Sequence, residues 1–195
     1  MADQKKIGLY FGTFNPIHIG HLIIANHMAI YTDLDEVWFV VSPHNPFKNK
    51  NTLLDDHARL ELVYRAIKDY DRLRVSDIEF GLPRPSYTVN SLVHLTEKYP
   101  NKQFSLIMGG DNLNSFHKWK NYELIIENHE LYVYPRLAST PGSLDNHEKV
   151  NLVGAPIMQI SSSFIRNAIK NKKDIRAMLP QNVWEYIDEM NYYRK

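Results

Sequence analysis

The sequence predicts an α/β chain: a Rossmann-like, doubly wound, mostly parallel sheet with helices on both faces and a C-terminal helical cap. Three observations carry this. Short runs rich in β-branched and aromatic residues alternate with segments whose apolar residues recur at helical spacing, and that alternation places a parallel sheet between two helical layers. The strand-like runs end in glycine, serine and proline, such as Gly12-Thr13, Ser42-Pro43-His44, Gly109-Gly110-Asp111 and Pro135-Arg136, and ligands of such sheets bind at the carboxyl ends of strands. Finally, 195 residues with 44% hydrophobic content can bury one core without disulfides.

In chain order, residues 7–11 read as a short buried strand and residues 19–31 as a helix. Residues 36–42 (EVWFVVS) are a second strand, and Asp55 or Asp56 can cap a helix with Leu60, Val63 and Ile67 on one stripe. Residues 73–75 give a third strand. Ser86 or Thr88 is expected to cap a helix bearing Val89, Leu92 and Val93, which stops near Tyr99-Pro100 because proline pushes its predecessor out of helical conformation. Residues 104–108 (FSLIM) and 131–134 are further strands, and the polar stretch 138–149 is a surface loop. Ser161 to Ser163 precede a helix with Ile165, Ala168 and Ile169 on one face, and Pro180 opens a last helix through Val183, Ile187 and Met190. One domain over 1–195 is expected, with 155–195 as its helical C-terminal subregion.

Charge and composition exclude several classes. Net charge is +1, from 23 basic and 22 acidic side chains well mixed, which does not fit a dedicated nucleic-acid binder. There are no cysteines, hence no thiolate metal site and no cysteine nucleophile. No signal peptide is visible and no apolar run reaches the ~18–20 residues that span a bilayer. A cytoplasmic chain without membrane or nucleic-acid partners is expected, and a homo-oligomer stays open.

The richest loop is residues 8–21, GLYFGTFNPIHIGH. A strand ends near Phe11, Gly12 permits close backbone approach, Pro16 sets a turn, and His18 stands just before a helix that includes Gly20 and His21. Unpaired amides make a helix start attractive to phosphate, and imidazoles three residues apart can both reach its oxygens. Gly20 between them removes a side chain where a nucleotide would pack. The plainer reading is two polar residues at a helix start. Zinc is disfavoured, because metalloprotease helices place histidines four apart beside a glutamate.

This segment resembles the GGTFDPIHxGH signature of the nucleotidyltransferase superfamily, in the form of bacterial nicotinate-nucleotide adenylyltransferases, with Asn15 where aspartate is usual. Four further segments are similar to that family, in the same order. Ser42-Pro-His-Asn-Pro-Phe-Lys48 resembles its PPHK/PPHR acceptor loop, with Phe47 in place of histidine and His44 offering an imidazole from elsewhere. Arg84-Pro-Ser-Tyr-Thr-Val-Asn90 resembles GPSYTxD, with Asn90 in place of aspartate. Gly109-Gly110-Asp111 followed by Trp119 resembles GxDxLxxxxxW, and Ile160-Ser-Ser-Ser-Phe-Ile-Arg166 resembles ISSTxIR, with Ser163 for threonine.

The resemblance implies adenylyl transfer from ATP to nicotinate mononucleotide, with Mg²⁺ accompanying ATP and no dedicated protein metal site. His18, His21 and Arg166 would be the catalytic residues. Phe11, Gly12, Thr13, His18, Gly20, His21, Gly109, Asp111, Ile160, Ser161, Ser162 and Arg166 would hold ATP. Asn15, His44, Lys48, Ser86, Tyr87, Thr88, Trp119 and Arg136 would hold the acceptor. Two alternatives stand beside this reading: adenylyl transfer to another small phosphate (nicotinamide mononucleotide or phosphopantetheine), or a non-catalytic nucleotide-binding protein.

Overall fold

A computed structural model of the chain describes residues 4–43, 53–137 and 142–194. Its elements are β1 (Lys5–Gly12), α1 (Ile19–Tyr31), β2 (Glu36–Val41), α2 (Asp56–Ile67), β3 (Leu73–Ser76), α3 (Thr88–Lys98), β4 (Lys102–Gly109), α4 (Gly110–Asn114), α5 (Tyr122–Asn128), β5 (Leu131–Tyr134), β6 (Val150–Leu152), α6 (Ser162–Lys170) and α7 (Gln181–Glu189). The strands form one sheet in the order β3-β2-β1-β4-β5-β6, with every neighbouring pair parallel. The direction of winding reverses between β1 and β4, and a crevice opens at their carboxyl ends.

Alternation along the strands divides the core in two. Tyr10, Val37, Phe39 and Val41 face a layer with α1, α2, α6 and α7, whose Met28, Leu62, Ile165 and Val183 close over them. Leu9, Trp38, Val40 and Leu106 face the other way, onto α3 and α5 through Leu92, Leu95 and Ile125. Side chains of a strand point alternately to opposite faces, so runs apolar at every position need cover on both. None of the described helices is long and apolar enough to cross a membrane.

The structure corrects several local expectations. Neither Ser86 nor Thr88 caps α3: Tyr87 holds the N-cap position without a side-chain bond, and Thr88 is already helical. Val93 is 54% exposed and Met190 45% exposed, while Leu95 is fully buried in place of Val93. Strand β6 and the short helices α4 and α5 had no clear pattern. β6 has three residues, none of them buried, and α4 has five, too few to show a period. Asp55 caps α2 by accepting from the His57 N–H at 2.9 Å. The described part of 138–149 forms turns.

Candidate active site

Two helix N-termini meet over the crevice. His18 is the N-cap of α1 and Ser161 the N-cap of α6, and the Ser162 hydroxyl donates to the Pro16 carbonyl at 2.8 Å, joining the two starts. Arg166, one turn into α6, donates from Nη1 to the Asn15 carbonyl at 2.8 Å and from Nη2 to Ser163 Oγ at 3.2 Å. The helix amides and the guanidinium therefore converge on one place, which suits a polyanion. Ser161 Oγ accepts from the Phe164 N–H at 3.2 Å and keeps its own proton to donate. The Ser162 hydroxyl already donates to Pro16, so a phosphate there would meet its backbone N–H instead.

The His18 and His21 rings stack, with centroids 3.7 Å apart and an interplanar angle of 22°. Gly20 makes this possible: a Cβ on it would lie 3.1 Å from His18 Nδ1. The glycine thus makes room for the imidazole itself, a different reason from the sequence expectation. His21 Nδ1 accepts from the His18 backbone N–H at 3.3 Å, which leaves Nε2 as the protonated donor. His18 Nδ1 is buried and has no partner among the described residues. Beneath the pair lies Phe14, at φ 45°, a region costly for a bulky residue. Its ring is held edge-on by His21, Tyr10 and Phe39 at centroid distances of 5.2, 5.8 and 5.3 Å.

Burial, reinforced by the Arg136 guanidinium, pushes His18 down from 6.5 to about 4. Burial, His18 and Arg136 together hold His21 well below 6.5. Both rings are therefore neutral donors at pH 7 in the ligand-free protein. In the unfolded chain they titrate near 6.5, so between about pH 6.5 and 4 the unfolded state binds more protons. The stability the neutral rings contribute is complete above about pH 6.5 and is lost as pH falls toward 4. For His18 the loss should reach about 2 kcal/mol by pH 5. Urea midpoints at pH 7 and 5 test this: wild type should lose more stability across the interval than His18→Gln. Equal losses would show that His18 is not held neutral.

On the β4–β5 side, Gly109 is hemmed in. A Cβ there would run into Asp111 Oδ1 and lie 3.2 Å from Arg136 Cγ. Arg136 Nη2 donates to the Tyr134 hydroxyl at 3.3 Å, and its Nε lies 3.8 Å from Asp111. Arg136 thus stands beside Asp111 and Tyr134, and its charge acts on both histidines. Ile160 packs against the core.

On the β2 side a cleft of about 620 Å³ is lined by Phe11, Gly12, Thr13, Asn15, Ser42, Pro43, Glu79, Pro85, Ser86, Thr88, Trp119, Ser161, Ser162 and Arg166, among others. Ser86 Oγ is buried there without a partner among the described residues. Trp119 lies against Phe116 at 5.3 Å between centroids and leaves part of its indole on the cleft. Tyr87 is exposed and packs under Lys120 Nζ at 4.3 Å. Asn15 Oδ1 accepts from the Leu54 N–H at 3.2 Å and the Tyr193 hydroxyl at 2.7 Å, so that oxygen fastens three distant segments together. His44 and Lys48 lie outside the described residues.

Residues 9–168 match the cytidylyltransferase-like family. The chain is 62% identical over 97% of its length to all of a Flavobacterium johnsoniae protein named "Probable nicotinate-nucleotide adenylyltransferase". A Bacteroides thetaiotaomicron protein of the same name is 48% identical, with 97% of this chain and 95% of that one covered. The chain belongs to the nicotinate-nucleotide adenylyltransferase family. Among solved structures, Plasmodium falciparum nicotinic acid mononucleotide adenylyltransferase complexed with NaAD shares the fold, with a TM-score of 0.78 at 22% identity over 97% of both chains.

Two residues of this site have no counterpart in the sequence reading. Arg59 is fully buried, donating from Nε to Leu54 O at 3.0 Å and from Nη1 to Thr13 O at 2.7 Å and Ser42 O at 2.8 Å. Glu79 is buried on the cleft wall and accepts from the Ser91 hydroxyl at 2.6 Å. Burial pushes its carboxyl above the usual range, against the pull of Ser91 and Ser42. The signal for Arg59 was available: a charged side chain on the buried stripe of α2, beside Leu62, Val63 and Ala66. Nothing local marked Glu79.

Proposed function

We infer that this chain transfers the adenylyl group of ATP to nicotinate mononucleotide, giving nicotinate adenine dinucleotide and pyrophosphate, a step in NAD biosynthesis. The observation that carries this reading is the stacked imidazole pair at the start of α1, joined by the Ser162–Pro16 bond to an α6 start whose Ser161, Ser162 and Arg166 line a cleft shared with Trp119 and the unpartnered Ser86 hydroxyl. The names of the relatives supply the acceptor.

The acceptor's 5′-phosphate is already an anion, so attack on the α-phosphorus of ATP needs no general base and no covalent intermediate. The protein's work is alignment and stabilisation of charge on the transferring group and on leaving pyrophosphate. In this mechanism His21 Nε2–H and the His18 imidazole donate to oxygens near the α-phosphorus. The α6 amides and Arg166 hold the β,γ end. Gly109 makes room at the end of β4 for the Asp111 and Arg136 side chains, and Asp111 accepts from a ribose hydroxyl. Mg²⁺ accompanying ATP would neutralise the triphosphate charge, held mostly by phosphate oxygens and water and by few protein ligands.

Acceptor choice tests the reading. Donors at the Ser86–Thr88 turn pair with a pyridine carboxylate, whereas an amide turns an NH₂ toward one of them. An unpaired buried donor costs about 1–3 kcal/mol, so kcat/KM for nicotinate mononucleotide should exceed that for nicotinamide mononucleotide by on the order of tenfold or more. Pyrophosphate release with ATP and a panel including phosphopantetheine decides it: equal use of both mononucleotides, or preference for any other acceptor, would overturn the assignment.

A further inference from the structure

The turn that enters the acceptor half of the cleft is tethered from outside it. Residues 83–86 make no backbone hydrogen bond with any described residue; the flanking bonds are Leu82 N–H to Glu79 O and Asn90 N–H to Tyr87 O. A segment without backbone partners drifts unless its side chains hold it. Among the described residues two side-chain tethers are present: Lys120 over the Tyr87 ring, and Arg84 Nη2 donating to Asp56 Oδ2 at 2.9 Å. Asp56 is shared, because its other oxygen accepts from Nη2 of the buried Arg59. Arg59 in turn grips the carbonyls of Thr13, past the end of β1, and Ser42, past the end of β2. One carboxylate thus links the Ser86–Thr88 turn to the loops on the far side of the cleft.

We propose that Asp56 and Arg84 are positioning residues for the acceptor, holding the turn in register with the β1 and β2 loops while ATP binding depends on other contacts. An exposed ion pair ordinarily contributes little, because both partners must first be ordered. Here Asp56 is only 18% exposed and is already oriented by Arg59, so only Arg84, 50% exposed, has to be ordered. Breaking the link lowers the fraction of molecules whose turn is binding-competent, and apparent affinity falls by that fraction. The inference rests on the acceptor occupying the cleft beside Ser86, Thr88 and Trp119.

The test is Arg84→Met, which leaves the Asp56–Arg59 pair and the fold intact, with Arg84→Lys and Asp56→Asn alongside. Acceptor affinity is measured twice, as KM in the coupled reaction and as Kd for nicotinate mononucleotide by calorimetry without ATP. In Arg84→Met both should rise about 5–10-fold, with kcat and the KM for ATP within about twofold of wild type. Arg84→Lys should recover part of the loss. Asp56→Asn should weaken acceptor binding, and adding Arg84→Met to it should make little further difference, because the two share one interaction. Unchanged acceptor affinity, equal rises in the KM of both substrates, or additive effects would overturn the proposal while leaving the adenylyl-transfer reading standing. A wild type that neither binds nor uses nicotinate mononucleotide would instead refute that reading, and this inference with it.

Discussion

Alanine at His18 or at His21 should lower kcat by ~10²–10³, the loss of roughly 3–4 kcal/mol of transition-state stabilisation, with an unchanged far-UV circular dichroism spectrum. The fold should tolerate His18→Ala because its Nδ1 has no partner to abandon. The His21 ring rests on Phe14 and Tyr10 without supporting either strand ladder. The effect should fall on kcat more than on the KM for either substrate, since charge shifts at the α-phosphorus as the new bond forms and the pyrophosphate bond breaks. Because both imidazoles are neutral in the ligand-free protein, their contribution is that of aimed donors, strengthened in the complex by the anion they face. Variants that keep near-normal kcat in steady-state pyrophosphate release would refute the role of this pair.

Arg59→Leu should be the most destabilising single substitution at the site, costing about 3–5 kcal/mol. Leucine fills part of the space but leaves the Thr13, Ser42 and Leu54 carbonyls without the donor they now share, around a side-chain position that is itself fully buried. Asp56 would keep Arg84 and lose its buried partner. Arg59→Lys should recover little of this, since an ammonium cannot serve the fork-shaped set of acceptors. For a chain of 195 residues a loss of this size lowers Tm by about 6–20 °C. A decrease below about 3 °C in a thermal melt would show that water replaces the guanidinium at little cost.

The parts of the architecture that periodicity can encode were legible in advance. Residues 19–31 coincide with α1, Asp55 caps α2, and the buried face of α6 is Ile165, Ala168 and Ile169 as read from spacing. Five of the six strands were anticipated: β1, β2, β4 and β5 are apolar on both faces for several residues, and β3 alternates, with Leu73 and Val75 facing one layer. β6 was not, since an exposed edge strand of three residues carries no such run. Val93 and Met190 were misplaced for a related reason: spacing gives the angle of a residue around its helix but not where the neighbouring layer ends.

By itself the sequence determined the order of the elements, the loops at the strand ends, and the residue types at the phosphate-attracting helix starts, because these are local and depend on neighbours in the chain. What the tertiary structure decided is everything that depends on distant segments meeting. It set the order β3-β2-β1-β4-β5-β6 that opens the crevice. It joined the α1 and α6 starts through Ser162 and Pro16, 146 residues apart. It tied Asn15 to Tyr193 across 178 residues. It set Arg136 beside Asp111, where its charge bears on the two histidines, and it buried Arg59, whose four partners include carbonyls from two other loops. Burial and through-space charge are sums over the whole packed chain, so the two neutral histidines and the shared Asp56 carboxylate come into being only when the layers close.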